Sequence, residues 1–281
     1  MLKRGIILFA CGHSYYGRMA YNLCLSIKSI EPEMPVVVVH SEKSLSHLSD
    51  DKKGIFDDMI LLPGSFGFGV KLELDKLSPF EETLYLDVDM AWMPKKKPSE
   101  LFDELEGVEF TSITEGHTED KSLKYYFWAD PEEIRKVHKI EGRIYQWRSE
   151  VMFFRKTKKV KDMFRMARKV YRNPKLKTLM KFGNQVPDEL AINIATAFYD
   201  IHPHVYKWCP ALWPRLHKIH VTHPADVYNK FYLLSCGSNY ATGDLKTLYN
   251  TIMRIACSKM KVQHIFPLMD KKSIIKDREK M

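Results

Sequence analysis

The stretch ETLYLDVDMAW, Glu82 to Trp92, ends an apolar run on two carboxylates one residue apart, Asp87 and Asp89. If Leu84 to Val88 is a strand, side chains alternate between its faces, so both aspartates project one way and Val88 turns back to the core. Two like charges that close repel, which calls for a cation between them or a proton on one of them. Hard oxygen ligands suit Mg2+ or Mn2+, and such ions commonly share their coordination with a substrate's phosphates. A metal bridging the pair to a diphosphate would neutralise charge as the phosphate leaves.

The other residues with chemistry to offer follow other apolar runs. The turn CGHSYYGRM, Cys11 to Met19, lacks both GxGxxG and GxxxxGK[ST], so neither a dinucleotide fingerprint nor a P-loop is present there. Any phosphate site has to be built by other means. Ala10, Gly12, His13, Tyr15 and Tyr16 all fall at this first turn, and His40 closes the run MPVVVVHS.

The elements that must position these groups alternate. GIILFACG, MPVVVVHS, DDMILLPG and ETLYLDVD read as strands, and YYGRMAYNLCLSIKSI as a helix with Met19, Leu23, Ile27 and Ile30 on one side. That order predicts an α/β fold with a mostly parallel sheet flanked by helices. Such sheets bind ligands beyond the carboxyl ends of their strands, where Ala10 to Tyr16, His40 and the aspartate pair are expected to converge.

With 281 residues, 45% hydrophobic and 28% charged, the chain can bury a core of its own. Its five cysteines are far apart with no CxxC pair, which excludes a zinc ribbon and a disulfide framework and points to a reducing cytoplasm. The N-terminal apolar run is too short for a signal segment, and no stretch reaches the roughly 18 apolar residues of a membrane span. A soluble or at most peripheral protein is expected.

The net charge of +9 is carried by one segment: from Arg155 to Lys181 there are twelve lysines and arginines against a single acid, Asp162. Val160, Met163, Phe164, Ala167, Val170 and Tyr171 recur there at helical spacing. This leaves Lys161, Arg165, Arg168 and Arg172 on the expected outer face, either as a solvated surface or as a surface for a polyanion.

The pair and its context resemble the A-type (GT-A) glycosyltransferases that use nucleotide-sugar donors, most closely the glycogenin-like and galactosyltransferase-like group called family eight. The likeness runs over about residues 5 to 232. GVKLELDKLSPFEETLYLDVDMAW matches the family's segment with a lysine ahead of the metal motif, which implies that Lys71 lies at the donor phosphates. WRSEVMFFRKT resembles the family's Asn-Ser-Gly strand, QVPDELAIN its Asp-Gln segment, and KIHVTHP the late strand that carries the third metal ligand. Carried over, the resemblance implies a metal on Asp87, Asp89 and His220, with His223 as the substitute. It implies donor contacts from Ala10, Gly12, His13, Tyr15, Tyr16, His40, Lys71, Val88, Ser149 and Asp188, one of the tyrosines stacking on the donor base. Asp188, Glu150 and Glu189 are the acids the resemblance implies to be catalytic at the sugar, Asp188 and Glu150 as nucleophile or positioning residue. Arg148 stands where the family has asparagine, Glu150 where it often has glycine and Glu189 where it has glutamine, so the identity of the sugar does not carry over.

The expectation is a GT-A domain over residues 1–240 followed by a basic helical extension over 241–281. It would transfer a sugar from a UDP-sugar to an acceptor hydroxyl with Mn2+ or Mg2+ and, following the family, with retention. The basic segment favours a polyanionic acceptor, and enzymes that glycosylate hydroxymethylated pyrimidines in phage DNA are a class with such charge. A cell-envelope or lipid-linked glycan is the rival, since Leu245, Leu248, Ile252 and Met253 form an apolar side that could rest on anionic lipid. Two other classes stay open. LYLDVDMAW also resembles the aspartate-nucleophile motif of haloacid-dehalogenase-like phosphatases, which usually opens the chain rather than lying after about 85 residues. A non-enzymatic nucleic-acid-binding module would use the basic helix and leave the aspartates without a purpose.

Overall fold

The computed structural model describes residues 2–64, 67–119, 128–181, 184–207, 210–212, 227–236, 243–263 and 265–267. The expected α/β fold is present, with a mostly parallel central sheet flanked by helices. Strand β1 (Leu2–Ala10) leads into helix α1 (Ser14–Lys28), and β2 (Val36–His40), a short α2 (Asp50–Lys53) and β3 (Asp58–Leu61) follow. A 3₁₀ turn (Phe68–Glu73) and α3 (Leu74–Leu77) precede β4 (Phe80–Leu86), β5 (Met90–Trp92) and α4 (Pro98–Glu104). Then come β6 (Phe110–His117), α5 (Pro131–His138), β7 (Tyr145–Arg155), α6 (Lys158–Arg172), α7 (Asp188–Phe198), β8 (Ala211–Leu212), β9 (Leu233–Ser235) and α8 (Gly243–Met260). Six strands form one sheet in the order β3-β2-β1-β4-β7-β6, and β5-β9-β8 form a second.

The chain clusters into two compact units. One comprises residues 1–4, 65–85 and 107–205, the other 5–64, 86–106 and 206–281. In the second unit, β1 pairs in parallel with β2, Ala10 opposite His40, and β2 in parallel with β3. Ile6, Ile7, Leu8, Val36, Val38 and Val39 are fully buried. Strands buried on both faces read as unbroken apolar runs, which is why these two were visible in sequence. On β3, Met59 and Leu61 are exposed, as suits the short last strand of the sheet order. Helix α8 lies in this unit, where Asn22 of α1 donates to the Tyr249 hydroxyl at 2.8 Å. Leu245, Leu248, Ile252 and Met253, expected as a face for lipid, are instead buried in the protein. No described helix is long and apolar enough to cross a membrane.

In the first unit β7 runs antiparallel to β6, with a shift in register between Ser112 and Ile113 where the partner residue jumps from Met152 to Arg148. The Ser112 hydroxyl serves both ends of this bulge, donating to the carbonyls of Arg148 and Val151. A bulge re-aims the side chains it carries, and the residues inside it are Ser149, Glu150 and Val151. Behind them Trp147 fixes β7 to α7. Its backbone N–H donates to Asn193 Oδ1 at 3.0 Å and its indole to Thr196 Oγ1 at 2.7 Å, all three residues being fully buried.

Helix α6 is amphipathic as its spacing predicts, with Thr157 as N-cap and Val160, Met163, Phe164, Ala167 and Val170 buried. The expectation for Arg168 is overturned. It does not lie on the outer face: its guanidinium grips Asp75 at 2.5 and 3.2 Å, donates to the Leu72 carbonyl at 2.6 Å and lies 3.7 Å from Glu73. Arg168 stands four residues after Phe164, on the flank of the apolar stripe, where a long side chain reaches inward to the buried carboxylate of Asp75. Lys161, Arg165 and Arg172 are exposed.

Candidate functional site

The aspartate pair is not on a strand. Chain β4 ends at Leu86 and β5 begins at Met90, so Asp87, Val88 and Asp89 form the turn between them. The alternation expected of a strand survives as burial: Val88 is buried and both aspartates are partly exposed. The turn is held from behind. Cys236 N–H donates to the Asp89 carbonyl at 2.9 Å, and β5 pairs antiparallel with β9, Met90 opposite Ser235. Two carboxylates in one short turn supply hard oxygen donors of the kind a divalent cation takes. Among the described residues no group of three metal-ligating side chains is assembled, and His220 and His223 lie outside them.

In the same unit the first turn and the end of β2 come together as expected. Gly12 sits at φ 93°, a left-handed value that glycine adopts without a Cβ clash, and its N–H donates to Ser41 Oγ at 3.0 Å. His13 caps α1, its Nδ1 accepting from Tyr15 N–H at 3.0 Å. His40 Nδ1 lies 3.1 Å from the Ser41 carbonyl. Tyr15 is a correction: its ring is buried in the core and offers no face to a base, whereas Tyr16 beside it is partly exposed. Burial pushes the Cys11 thiol up to about 12, which disfavours its thiolate.

The first unit gathers a second group of candidates. Lys71 Nζ lies 3.2 Å from Ser149 Oγ and 3.4 Å from the Ser149 carbonyl, 3.9 Å from Asp188 Oδ2, and 5.5 Å from the centroid of the Tyr85 ring. Asp188 and Glu189 open α7 after Pro187, where the helix N-terminus favours negative charge. Arg148 Nη1 is 3.6 Å from Glu189 Oε2, and the Trp128 indole donates to the same oxygen at 2.8 Å. Burial, and then the charge of Asp188, push the Glu189 carboxyl up to about 7 against the pull of Arg148, Trp128 and Lys71. Glu150, in the bulge, is partly exposed.

Three supports were not read from the sequence. Trp128 carries no motif of its own; the Asp130-Pro131 helix start just after it is the local signal. Gln185 holds the turn that carries Lys71, accepting from Phe68 N–H at 3.1 Å, and a Cβ on Gly67 would come within 2.7 Å of its Oε1. Arg168 holds the other end of that turn, as described above.

No family model matches the chain, and no curated protein matches it. Solved structures do. A galactosyltransferase, LgtC, in complex with donor and acceptor sugar analogues is 14% identical, with a TM-score of 0.55 over 90% of this chain and 95% of that one. A second structure of LgtC, an active-site mutant with glutamine changed to glutamate, matches at a TM-score of 0.54. The glycosyltransferase GlyE of Streptococcus pneumoniae is 10% identical, with a TM-score of 0.56 over 96% of this chain and 66% of that one. At such identities the likeness establishes the fold: the chain is built on the α/β fold that these A-type glycosyltransferases share.

Proposed function

We propose that the protein transfers a sugar from a nucleotide diphosphate-sugar, a UDP-sugar in the first instance, to an acceptor hydroxyl. The observation that carries this reading is the convergence of Lys71, Ser149 and Asp188, which are far apart in sequence and meet within 3.9 Å on the fold of sugar-transferring enzymes. In this reading Lys71 binds the donor phosphates, while Ser149, Glu150, Asp188 and Glu189 attend the sugar. Gly12, His13, Tyr16 and His40 bind the nucleotide. Asp87 and Asp89 hold a divalent cation, Mn2+ or Mg2+, with His220 or His223 as the third ligand, and the ion when bound supplies positive charge for the departing diphosphate. Preorganised charge of this kind supplies the largest catalytic effects in most enzymes. Retention of configuration follows from the family resemblance. The bare Asp-x-Asp pair is all that favours a phosphatase.

For the acceptor, the exposed cations of α6 favour a polyanion, with hydroxymethylated pyrimidine bases in DNA as the specific candidate. The burial of the apolar side of α8 counts against a lipid-linked glycan. The test is calorimetric titration of a panel of nucleotide-sugars with Mn2+, repeated with EDTA and with Asp89→Ala. Metal-dependent binding that Asp89→Ala abolishes supports the reading; affinity unchanged by EDTA removes the metal from it.

A further inference from the structure

Trp128, Arg148 and Glu189 come from a loop, a strand and a helix, yet they meet at one carboxylate oxygen, with the indole N–H at 2.8 Å and the guanidinium at 3.6 Å. Trp128 has φ 63°, a left-handed backbone that a residue with a bulky side chain rarely adopts. The strain is held from outside the site. Met180 N–H donates to the Trp128 carbonyl at 2.8 Å, and Asp130 N–H to Thr178 Oγ1 at 2.8 Å. The Glu133 carboxylate accepts from Lys177 N, Thr178 N and the Thr178 hydroxyl. Arg148, for its part, sits at the bulge of β7 that Ser112 closes.

Both donors favour the ionised form of Glu189, whereas burial and Asp188 oppose it, and the balance falls near neutrality, at about 7. Among the described residues, the charged groups acting on Glu189 are Asp188 from its own helix, Arg148 from β7 and Lys71 from the 3₁₀ turn. No charged side chain of α5 or α6, which also pack on α7, is among them. An ionised carboxylate beside Asp188 can accept a hydrogen bond from a sugar hydroxyl and stabilise positive charge growing at the anomeric carbon. A protonated one does both poorly.

We propose that Arg148 and Trp128 are positioning residues that hold Glu189 as the ionised carboxylate facing the donor sugar, and that its ionisation sets the acid limb of sugar transfer. The proposal rests on the glycosyl-transfer reading for its substrate, not for its geometry. The experiment follows kcat and KM for donor turnover over about pH 5 to 9 in the wild type, Glu189→Gln, Arg148→Gln, Arg148→Lys and Trp128→Phe, with thermal melts as the control for folding. The wild type should lose kcat about tenfold per pH unit below the Glu189 midpoint. Arg148→Gln and Trp128→Phe should move that limb to higher pH, Arg148→Lys should return it most of the way to its wild-type position, and Glu189→Gln should abolish the limb at a lower plateau. An unchanged limb in Glu189→Gln, or a loss in Arg148→Gln that is equal at every pH, overturns the proposal. If the wild type turns over no nucleotide-sugar, the glycosyl-transfer reading falls on its own. NMR titration of the Glu189 side-chain carboxyl in the wild type and Arg148→Gln then decides the positioning claim: an unshifted midpoint rejects it.

Discussion

Lys71 and Asp188 form one buried ion pair, but in the proposed reaction they act at different moments. Lys71→Ala should weaken donor binding by about tenfold or more, because the phosphates carry their charge in the ground state. Asp188→Asn should spare donor affinity and lower kcat by on the order of a hundredfold, since it acts on charge that develops at the transition state. Calorimetry and steady-state kinetics on both variants check this, and equal losses of affinity would mean that the roles are misassigned. Glu189 also makes a prediction about stability. Its carboxyl is raised in the fold, so the protonated form is favoured there, and its contribution is fully favourable below the unfolded value near 4.5 and lost as pH rises through about 7. Glu189→Gln should therefore stabilise the protein above about pH 7, by up to about 3 kcal/mol, and leave it nearly unchanged below about pH 4.5. Melting curves at the two pH values give the answer, and a constant difference between them would show that Glu189 titrates normally.

Among the elements, α6 does two jobs that sequence spacing cannot tell apart. Its buried stripe was legible because apolar residues recur every three or four positions, and so was its exposed basic side. Arg168 was misplaced because helical periodicity fixes a direction around the axis and says nothing of Asp75, which only the folded chain brings within 2.5 Å. The parallel strands β1 and β2 are legible for a different reason, as unbroken apolar runs buried on both faces. The Asp87–Asp89 segment was read as strand because apolar Leu84 to Leu86 runs straight into it, whereas the chain turns there to start β5. Trp128 went unread because a left-handed backbone leaves no mark in composition. Arg168→Ala removes one partner of a pair whose side chains are 11% and 7% exposed, leaving Asp75 buried without its charge partner. It should cost about 3–5 kcal/mol and loosen the turn that presents Lys71, raising KM for the donor. Arg165→Ala, at a side chain 74% exposed and paired with Asp162 on its own helix, should stay within about 0.5 kcal/mol of wild type. Denaturant unfolding of the two variants separates the supporting arginine from the solvated one.

For the whole molecule, the question is how much of the +9 net charge is free to meet a partner. Within the basic segment Arg155 is paired with Glu82 at 2.6 Å, Lys156 donates to the Ser78 carbonyl, and Arg168 is committed to Asp75. The remaining cations of α6, Lys158, Lys159, Lys161, Arg165, Lys169 and Arg172, are exposed, with Asp162 between Lys158 and Arg165 as the single acid. That is enough for several phosphate contacts, and such binding releases counterions and weakens steeply with salt. If α6 tracks a nucleic-acid backbone, duplex DNA should bind with log K falling linearly against log salt. Neutralising Lys161, Arg165 and Arg172 together should flatten that slope by up to about three units, since each lost contact contributes roughly one. Arg168 is left out because its loss would damage the fold and mimic a binding defect. Donor hydrolysis without acceptor should be nearly unchanged in the triple variant, as none of the three side chains belongs to the groups around Lys71 and Glu189. Fluorescence anisotropy across a salt series measures the slope. If the variant keeps both its DNA affinity and its slope, the outer face of α6 is a solvated surface, and the acceptor must be sought among uncharged glycans.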